Sequence, residues 1–337
     1  MGECRKIEER YIEITNHCVQ KCIHCSSNAT CNHYAEIPLE NIQNTVQKLL
    51  PLGLKAVVLS GGEPFLHPDL FALVDFLEGK GIRYSLYTCG VVRGADGVGP
   101  IPEHIFKRVK SDGLDKIIFS LHAGTPATQA RVSGFSSSFS SVLASIRAAK
   151  RNNIEVEIHV VPMRINYDEL EQVLDIANTL GVSKVSFLRF VPQGRGAEQL
   201  RLTREQFRGL QQLYRTYQDG YKHVRIRFGT PFNCITYRGG HCTAGINKVL
   251  INAYGEILPC EAFKYLHGQR PTIYQHDICE VWQTDLLLKE LRTLRLDEVS
   301  TCSACIYKDG CQGGCPGQRK HLNGDFQKGP DPSCILM

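Results

Sequence analysis

Three thiols stand close together in CVQKCIHC (18–25): Cys18, Cys22 and Cys25, separated by three and then two residues. Thiolates so spaced hold metal, and both zinc and a four-iron cluster take four ligands. The triplet leaves one place open. In a zinc loop His17 or His24 would fill it; on a cluster, a ligand from outside the chain could. A second set lies near the other end. Cys302, Cys305, Cys311 and Cys315 are spaced CxxCxxxxxCxxxC, and Cys334 follows 19 residues on. Upstream, Cys242 has twelve residues before Gly255, which has four before Cys260. A zinc ribbon would use four of these cysteines but not all seven. Two carboxylates also sit where they could do chemistry: Glu63 in SGGEP (60–64) and Glu261 directly after Cys260 in LPCEAF.

Short apolar runs must position these residues. YIEIT (11–15), AVVLS (56–60), RYSLYT (83–88), KIIFSL (116–121), VEIHVVP (156–162) and KVSFLRF (184–190) read as strands. Amphipathic helices alternate with them, at 39–50, 69–77, 140–150 and 167–180. Such alternation predicts a parallel sheet, either doubly wound or closed toward a partial (β/α)6 barrel. In both, ligands sit at the carboxyl ends of the strands. The cysteine triplet follows the first strand, GGEP the second and LHAGT the fourth. After about residue 221 the texture changes to dense cysteines, Gly and Pro. A hairpin is expected at 248–260, turning at Tyr254-Gly255, and a helix near 286–292. The division is therefore 1–220 and 221–337, the second part too poor in core to stand without a metal or a staple.

Composition narrows the function. Of 337 residues 42% are hydrophobic and 22% charged, as in soluble globular proteins. No apolar run is long enough to span a membrane, and the first ten residues carry no apolar signal core, so a cytoplasmic location is expected. Fifteen cysteines, an odd number in a reducing compartment, argue for metal rather than disulfides. The formal charge of +5 falls to about zero once thiolates hold one three-thiolate and two four-thiolate clusters. No basic run marks a nucleic-acid partner.

With these motifs in order, the chain resembles the radical S-adenosylmethionine (radical SAM) superfamily. CxxxCxxC after the first strand matches at Cys18, Cys22 and Cys25, and GGE ends the second strand. The resemblance implies a partial (β/α)6 TIM-like barrel. It also implies that SAM caps the open iron of a [4Fe-4S] cluster and is split to methionine and a 5′-deoxyadenosyl radical, which takes a substrate hydrogen. Gly61, Gly62 and Glu63 would receive the SAM amine. Ser120 would meet the ribose, Arg131 the carboxylate, and His24 and the Leu188 backbone the adenine. The family more often reads SLDG where this chain has SLHAG, so His122 stands in the usual Asp position.

The later cysteines resemble the SPASM extension, a small cysteine-rich α+β domain holding two auxiliary [4Fe-4S] clusters. Its pattern implies a near cluster on Cys242, Cys260 and Cys315, with Cys234 as the candidate fourth ligand, and a far cluster on Cys302, Cys305, Cys311 and Cys334. Cys4, Cys31, Cys89 and Cys279 are left over and read as inert. By the same resemblance Glu261 is a candidate base or orienting group. An electron donor such as flavodoxin or ferredoxin would be a partner. The implied reaction is an oxidation, cross-link or epimerisation of a peptide or protein. The cluster loop starts at residue 18, so the peptide-recognition domain of many relatives is expected to be absent, and a separate recognition protein could serve. The alternative substrate is a small sugar or nucleoside, with Arg189, Arg195 or Arg238 holding its anionic group. A further alternative is an iron–sulfur carrier without catalysis.

Overall fold

The computed structural model describes residues 6–7, 9–94, 97–265, 268–299 and 301–336; Cys4 lies outside them. Strands form where the β-branched runs stand: β1 (Glu9–Thr15), β2 (Ala56–Gly61), β3 (Arg83–Thr88), β4 (Val91–Gly94), β5 (Gly97–Pro100), β6 (Leu114–Ser120), β7 (Val156–Val160), β8 (Lys184–Phe187), β9 (Arg225–Phe228), β10 (Lys248–Ile251) and β11 (Ile257–Leu258). One nine-stranded sheet has the order β11-β10-β1-β2-β3-β6-β7-β8-β9. All its pairs are parallel except β10–β11. Its two edges do not pair with each other, so the barrel is partial. β4 and β5 form a separate antiparallel pair.

Helices α1 (Leu39–Leu49), α2 (Leu70–Gly79), α3 (Glu103–Val109), α4 (Pro126–Ser133), α5 (Ser138–Arg151), α6 (Leu170–Thr179) and α7 (Arg204–Tyr217) alternate with the strands. Their apolar faces set the packing. Ile42, Val46 and Leu49 of α1 and Val173, Leu174 and Ala177 of α6 share one buried core with Ile12, Ile14, Leu59, Leu86, Ile117 and Ile158 of the sheet.

The opposite face of the sheet is polar. Register places Ser120, His159, Ser186 and Arg227 in one row across β6, β7, β8 and β9. Below that row, Glu157 accepts from Lys116 (2.6 Å) and Lys184 (2.9 Å). Burial opposes its charge, but hydrogen bonds from His159, Lys116 and Lys184 hold its carboxyl far below the ordinary range.

Two of the contacts that join the cysteine-rich half to the barrel set its position near the site. The 248–260 hairpin forms as expected, but β10 pairs with β1 and so extends the barrel sheet. Arg189, just beyond β8, forks onto Asp331 (2.6 and 3.1 Å), both side chains almost fully buried. Asp331 also accepts the N–H groups of Cys315 (2.7 Å) and Ser333 (2.8 Å). Asp331→Ala leaves the Arg189 charge uncompensated and should cost about 3–5 kcal/mol in denaturant unfolding. The double change Arg189→Met/Asp331→Leu should recover part of that loss. A parental midpoint for Asp331→Ala would show the pair to be dispensable.

Candidate active site and thiol sites

The loop between β1 and α1 carries Cys18, Cys22 and Cys25 to the carboxyl end of the sheet. Its backbone is held from three sides. Lys21 and Ile23 donate N–H bonds to the carbonyls of Ser133 and Val132 at the end of α4 (both 2.9 Å). Gly62 N–H donates to Thr15 O (2.7 Å) and Glu63 N–H to His17 O (2.8 Å). Arg195 Nε donates to Cys22 O (3.0 Å) and its Nη1 to Ala29 O (2.7 Å), while its N–H donates to Cys25 O (3.1 Å).

These contacts revise the reading of GGEP. A Cβ on Gly61 would stand 2.1 Å from Thr15 O, and one on Gly62 2.3 Å from His17 O. Both glycines are needed for the chain to dock on its own cluster loop. The Glu63 side chain is also turned inward. It is fully buried and accepts from Thr88 Oγ1 (2.7 and 2.8 Å), Cys89 N (2.8 Å) and Phe65 N (3.2 Å). Burial pushes its carboxyl above the ordinary value in spite of these bonds. Its carboxylate, expected on the SAM amine, ties β2 to β3.

Cys18 and Cys25 lie within electrostatic reach of Cys22. Burial pushes Cys22 well above its ordinary value, and neighbouring Cys18 and Cys25 add to that. Bound iron would remove the penalty by ligating the thiolates. Neither nearby histidine completes the set. His17 stacks on Tyr34 (4.0 Å, 6°), and His24 packs edge-on against His122 (4.4 Å). Burial, then Arg195, lowers His24 to a pKa of about 4, so it is neutral, and its buried Nδ1 has no partner. His122 Nδ1 accepts from Val161 N (3.3 Å). The residue replacing the usual Asp is thus part of the wall that holds His24.

Ser120 ends β6 beside the Tyr87 hydroxyl. Leu188 spends its N–H on Val160 O (2.8 Å). Arg131 is exposed in the last turn of α4. The buried Ser186 Oγ and His159 Nδ1 have no partner. The donor set of three thiols with unpartnered polar atoms around it fits a cluster that presents iron to a polar cofactor.

Glu261 lies in the same lumen. Its carboxylate meets Lys248 Nζ (3.0 Å), which in turn stands 4.2 Å over the Tyr11 ring. Burial would raise the Glu261 pKa, but the Lys248 ammonium outweighs it and holds the carboxyl below its ordinary range. Gln193 donates to the Glu261 carbonyl, and Lys264, three residues on, reaches Glu13, Ser26 and Ser27. The turn after Cys260 therefore closes over the lumen next to the cluster loop.

The later cysteines fall into two groups. Cys302, Cys305, Cys311 and Cys334 line a cavity of about 130 Å³ together with Tyr237, Asp331 and Cys234. Cys242 and Cys260 pack instead against a small core of Ala244, Ala262, Phe263, Leu291 and Phe326. Cys315 starts the helix Pro316–Asn323, whose Gly317 abuts Ala262. Cys234 was expected with the near set, and its position is corrected: it lies with the far one. No disulfide joins any described cysteine. Among the described residues no three His, Cys, Asp or Glu side chains converge as single-ion ligands; thiols ringing a cavity suit the wider girth of a cluster.

Two outcomes were not read from the residues. Cys89, expected to be inert, is held against the triplet: a hydrogen bond to Cys18, then burial, pushes its thiol pKa up. The arginines offered as anion anchors are all engaged, Arg189 by Asp331, Arg195 by the cluster loop, and Arg238 by Gln218 (3.4 Å) and the Tyr214 ring.

Comparison with known proteins gives this geometry a class. Residues 12–177 match the model of the Radical SAM superfamily. The chain is 28% identical to the mycofactocin maturase MftC of Mycolicibacterium smegmatis, covering 96% of this chain and 81% of that protein. It is 21% identical to the AdoMet-dependent heme synthase of Methanosarcina barkeri, covering 96% and 95%. Among solved structures, Streptococcus suis SuiB bound to precursor peptide SuiA superposes with a TM-score of 0.78 at 18% identity, over 98% of this chain and 76% of that one. Residues 12–177 form a radical SAM superfamily domain, and the chain as a whole has the fold of the SPASM-type members. It is accordingly an enzyme whose family uses SAM and a [4Fe-4S] cluster. Among the described residues no helix is long and apolar enough to cross a membrane.

Arg195→Met should loosen the cluster loop without touching a thiol. Reconstituted protein should then hold about four fewer irons per chain, with unfolding otherwise near parental. Full iron content would show the clamp to be redundant.

Proposed function

We propose that the chain modifies a peptide held in the barrel lumen by removing a hydrogen from it. When bound, the cluster and SAM supply a hydrogen-abstracting radical. The chain's own residues do the rest. The Cys18–Cys22–Cys25 loop fixes where that chemistry starts. Ser120, His159 and Ser186 offer hydrogen bonds to a polar substrate. Glu261, kept ionised by Lys248, stands ready to accept a proton as the substrate is oxidised.

One observation carries the reading: Tyr87 lies within electrostatic reach of both Cys22 and Glu261, and the buried Ser186 Oγ and His159 Nδ1 have no partner. Likeness to a mycofactocin maturase, and to SuiB with its precursor peptide, supports a peptide. The two further thiol groups would hold auxiliary [4Fe-4S] clusters, which would supply one-electron acceptance, and a flavodoxin or ferredoxin would be the external reductant. A small-molecule substrate has the likeness to the heme synthase in its favour. Of the arginines that would anchor it, Arg189 is spent on Asp331, while Arg195 keeps a buried, unpartnered Nη2.

Short peptides encoded beside the enzyme, incubated with reconstituted protein, SAM and reduced flavodoxin, should change mass. Unchanged mass while 5′-deoxyadenosine accumulates would point to a small substrate. Glu261→Gln should spare 5′-deoxyadenosine formation but slow product by at least about tenfold; product at the parental rate would remove Glu261 from the chemistry. Because Lys248 lowers the Glu261 pKa, Lys248→Met should move the acid limb of the product rate to higher pH. An unmoved limb would mean that another group titrates.

A further inference from the structure

Gln20 touches two of the three thiols of the cluster loop. Its backbone N–H donates to Cys18 Sγ (3.4 Å), and its side-chain Oε1 accepts from the Cys22 thiol (3.4 Å). The side chain is 3% exposed, and its Nε2 donates to Ser138 Oγ (3.0 Å) at the start of α5. An apolar side chain would fill the same space without the cost of burying an amide.

A fixed chain of hydrogen bonds stands behind it. Gln129 Oε1 accepts the backbone N–H groups of His122 (3.0 Å) and Ala123 (3.1 Å), which can only donate. The Gln129 amide therefore has one allowed orientation, and its Nε2 donates to the same Ser138 Oγ (3.2 Å). Ser138 Oγ thus receives two amide donors, and among the described residues its own hydrogen has no acceptor.

This arrangement suits a protonated Cys22 only. A thiol can give its hydrogen to Gln20 Oε1. A thiolate on iron has none to give and would face an acceptor at 3.4 Å. The two ends of an amide fill the same space, so turning the Gln20 amide over removes both faults. Ser138 then accepts from Gln129 and donates to Gln20 Oε1, and Gln20 Nε2 donates to Cys22 Sγ. Every polar hydrogen from the His122 backbone to the Cys22 sulfur then has its acceptor.

We infer that Gln20 is a positioning residue of the first cluster: once Cys22 ligates iron, the Gln20 side-chain amide donates an N–H···S bond to its sulfur, oriented by Ser138 and Gln129. The inference rests on the reading that the triplet holds a cluster. A hydrogen bond to a ligating sulfur stabilises the reduced, more negative cluster. Gln20 thereby eases the reduction that SAM cleavage requires, without touching iron, SAM or substrate.

The test uses the full chain made by cell-free synthesis with glutamine carrying 15N only at its side-chain amide. The protein is reconstituted, reduced and loaded with unlabelled SAM. The paramagnetic signal that changes on adding SAM identifies the first cluster. Hyperfine spectroscopy of that signal should show 15N coupling, which is lost in Gln20→Met. No 15N coupling on a SAM-responsive signal of the parental chain overturns the inference. A reduced protein with no SAM-responsive signal overturns the cluster reading, and the inference with it. Gln20→Met keeps the length of the side chain and removes the donor. At parental iron content it should shift the midpoint potential of the SAM-responsive signal to more negative values and leave the SAM-insensitive signals unmoved. An unshifted midpoint would make Gln20 a packing residue and overturn its role in reduction.

Discussion

The structure turns on a backbone-to-backbone contact that tolerates no side chain. Where β2 ends, Gly62 and Glu63 donate N–H bonds to Thr15 and His17 at the start of the thiol loop, and Gly61 and Gly62 leave no room for a Cβ. This contact sets the position of Cys18 relative to the sheet. Glu63 carries the constraint onward, because its buried carboxylate locks the end of β3 through Thr88 and Cys89. The end of α4 and the Arg195 segment close the remaining sides. A loop of irregular backbone is thereby as fixed as a strand. Three thiolates that must meet one cluster need that fixity.

The same logic extends into the cysteine-rich half. Its own apolar core is small, so it is positioned by elements it shares with the barrel. β10 lies along β1 and brings Cys260 and Glu261 to the lumen. Arg189 and Asp331 anchor the strand end and the C-terminal segment to each other, and through Asp331 the backbones of Cys315 and Ser333. The thiol triplet after β1 and the Cys260–Glu261 turn after β11 thus hang on one continuous sheet.

Much of this was legible in the residues. The six β-branched runs became strands because their apolar faces meet amphipathic helices, and that is a local signal. The thiol spacings are local too. β9 was missed because RIRF at a charged sheet edge lacks an apolar run. α7 had a readable start, since Thr203 and Gln206 form a capping box. The roles of Arg189 and Arg195 depend on partners more than 140 residues away in sequence, as the 142 to Asp331 and 173 to Cys22 illustrate. Composition cannot tell such clamps from solvated arginines. Cys234 shows the limit of spacing itself: eight residues before Cys242, it is carried by its helix to the other thiol group.

The central claim is that the Cys18–Cys22–Cys25 site binds SAM on iron and cleaves it. The direct measurement is anaerobic incubation of reconstituted protein with SAM and dithionite, following 5′-deoxyadenosine and methionine. Both should form in equal amounts with the parental chain, and neither with Cys22→Ala. SAM left intact by a parental protein of full iron content would contradict the account.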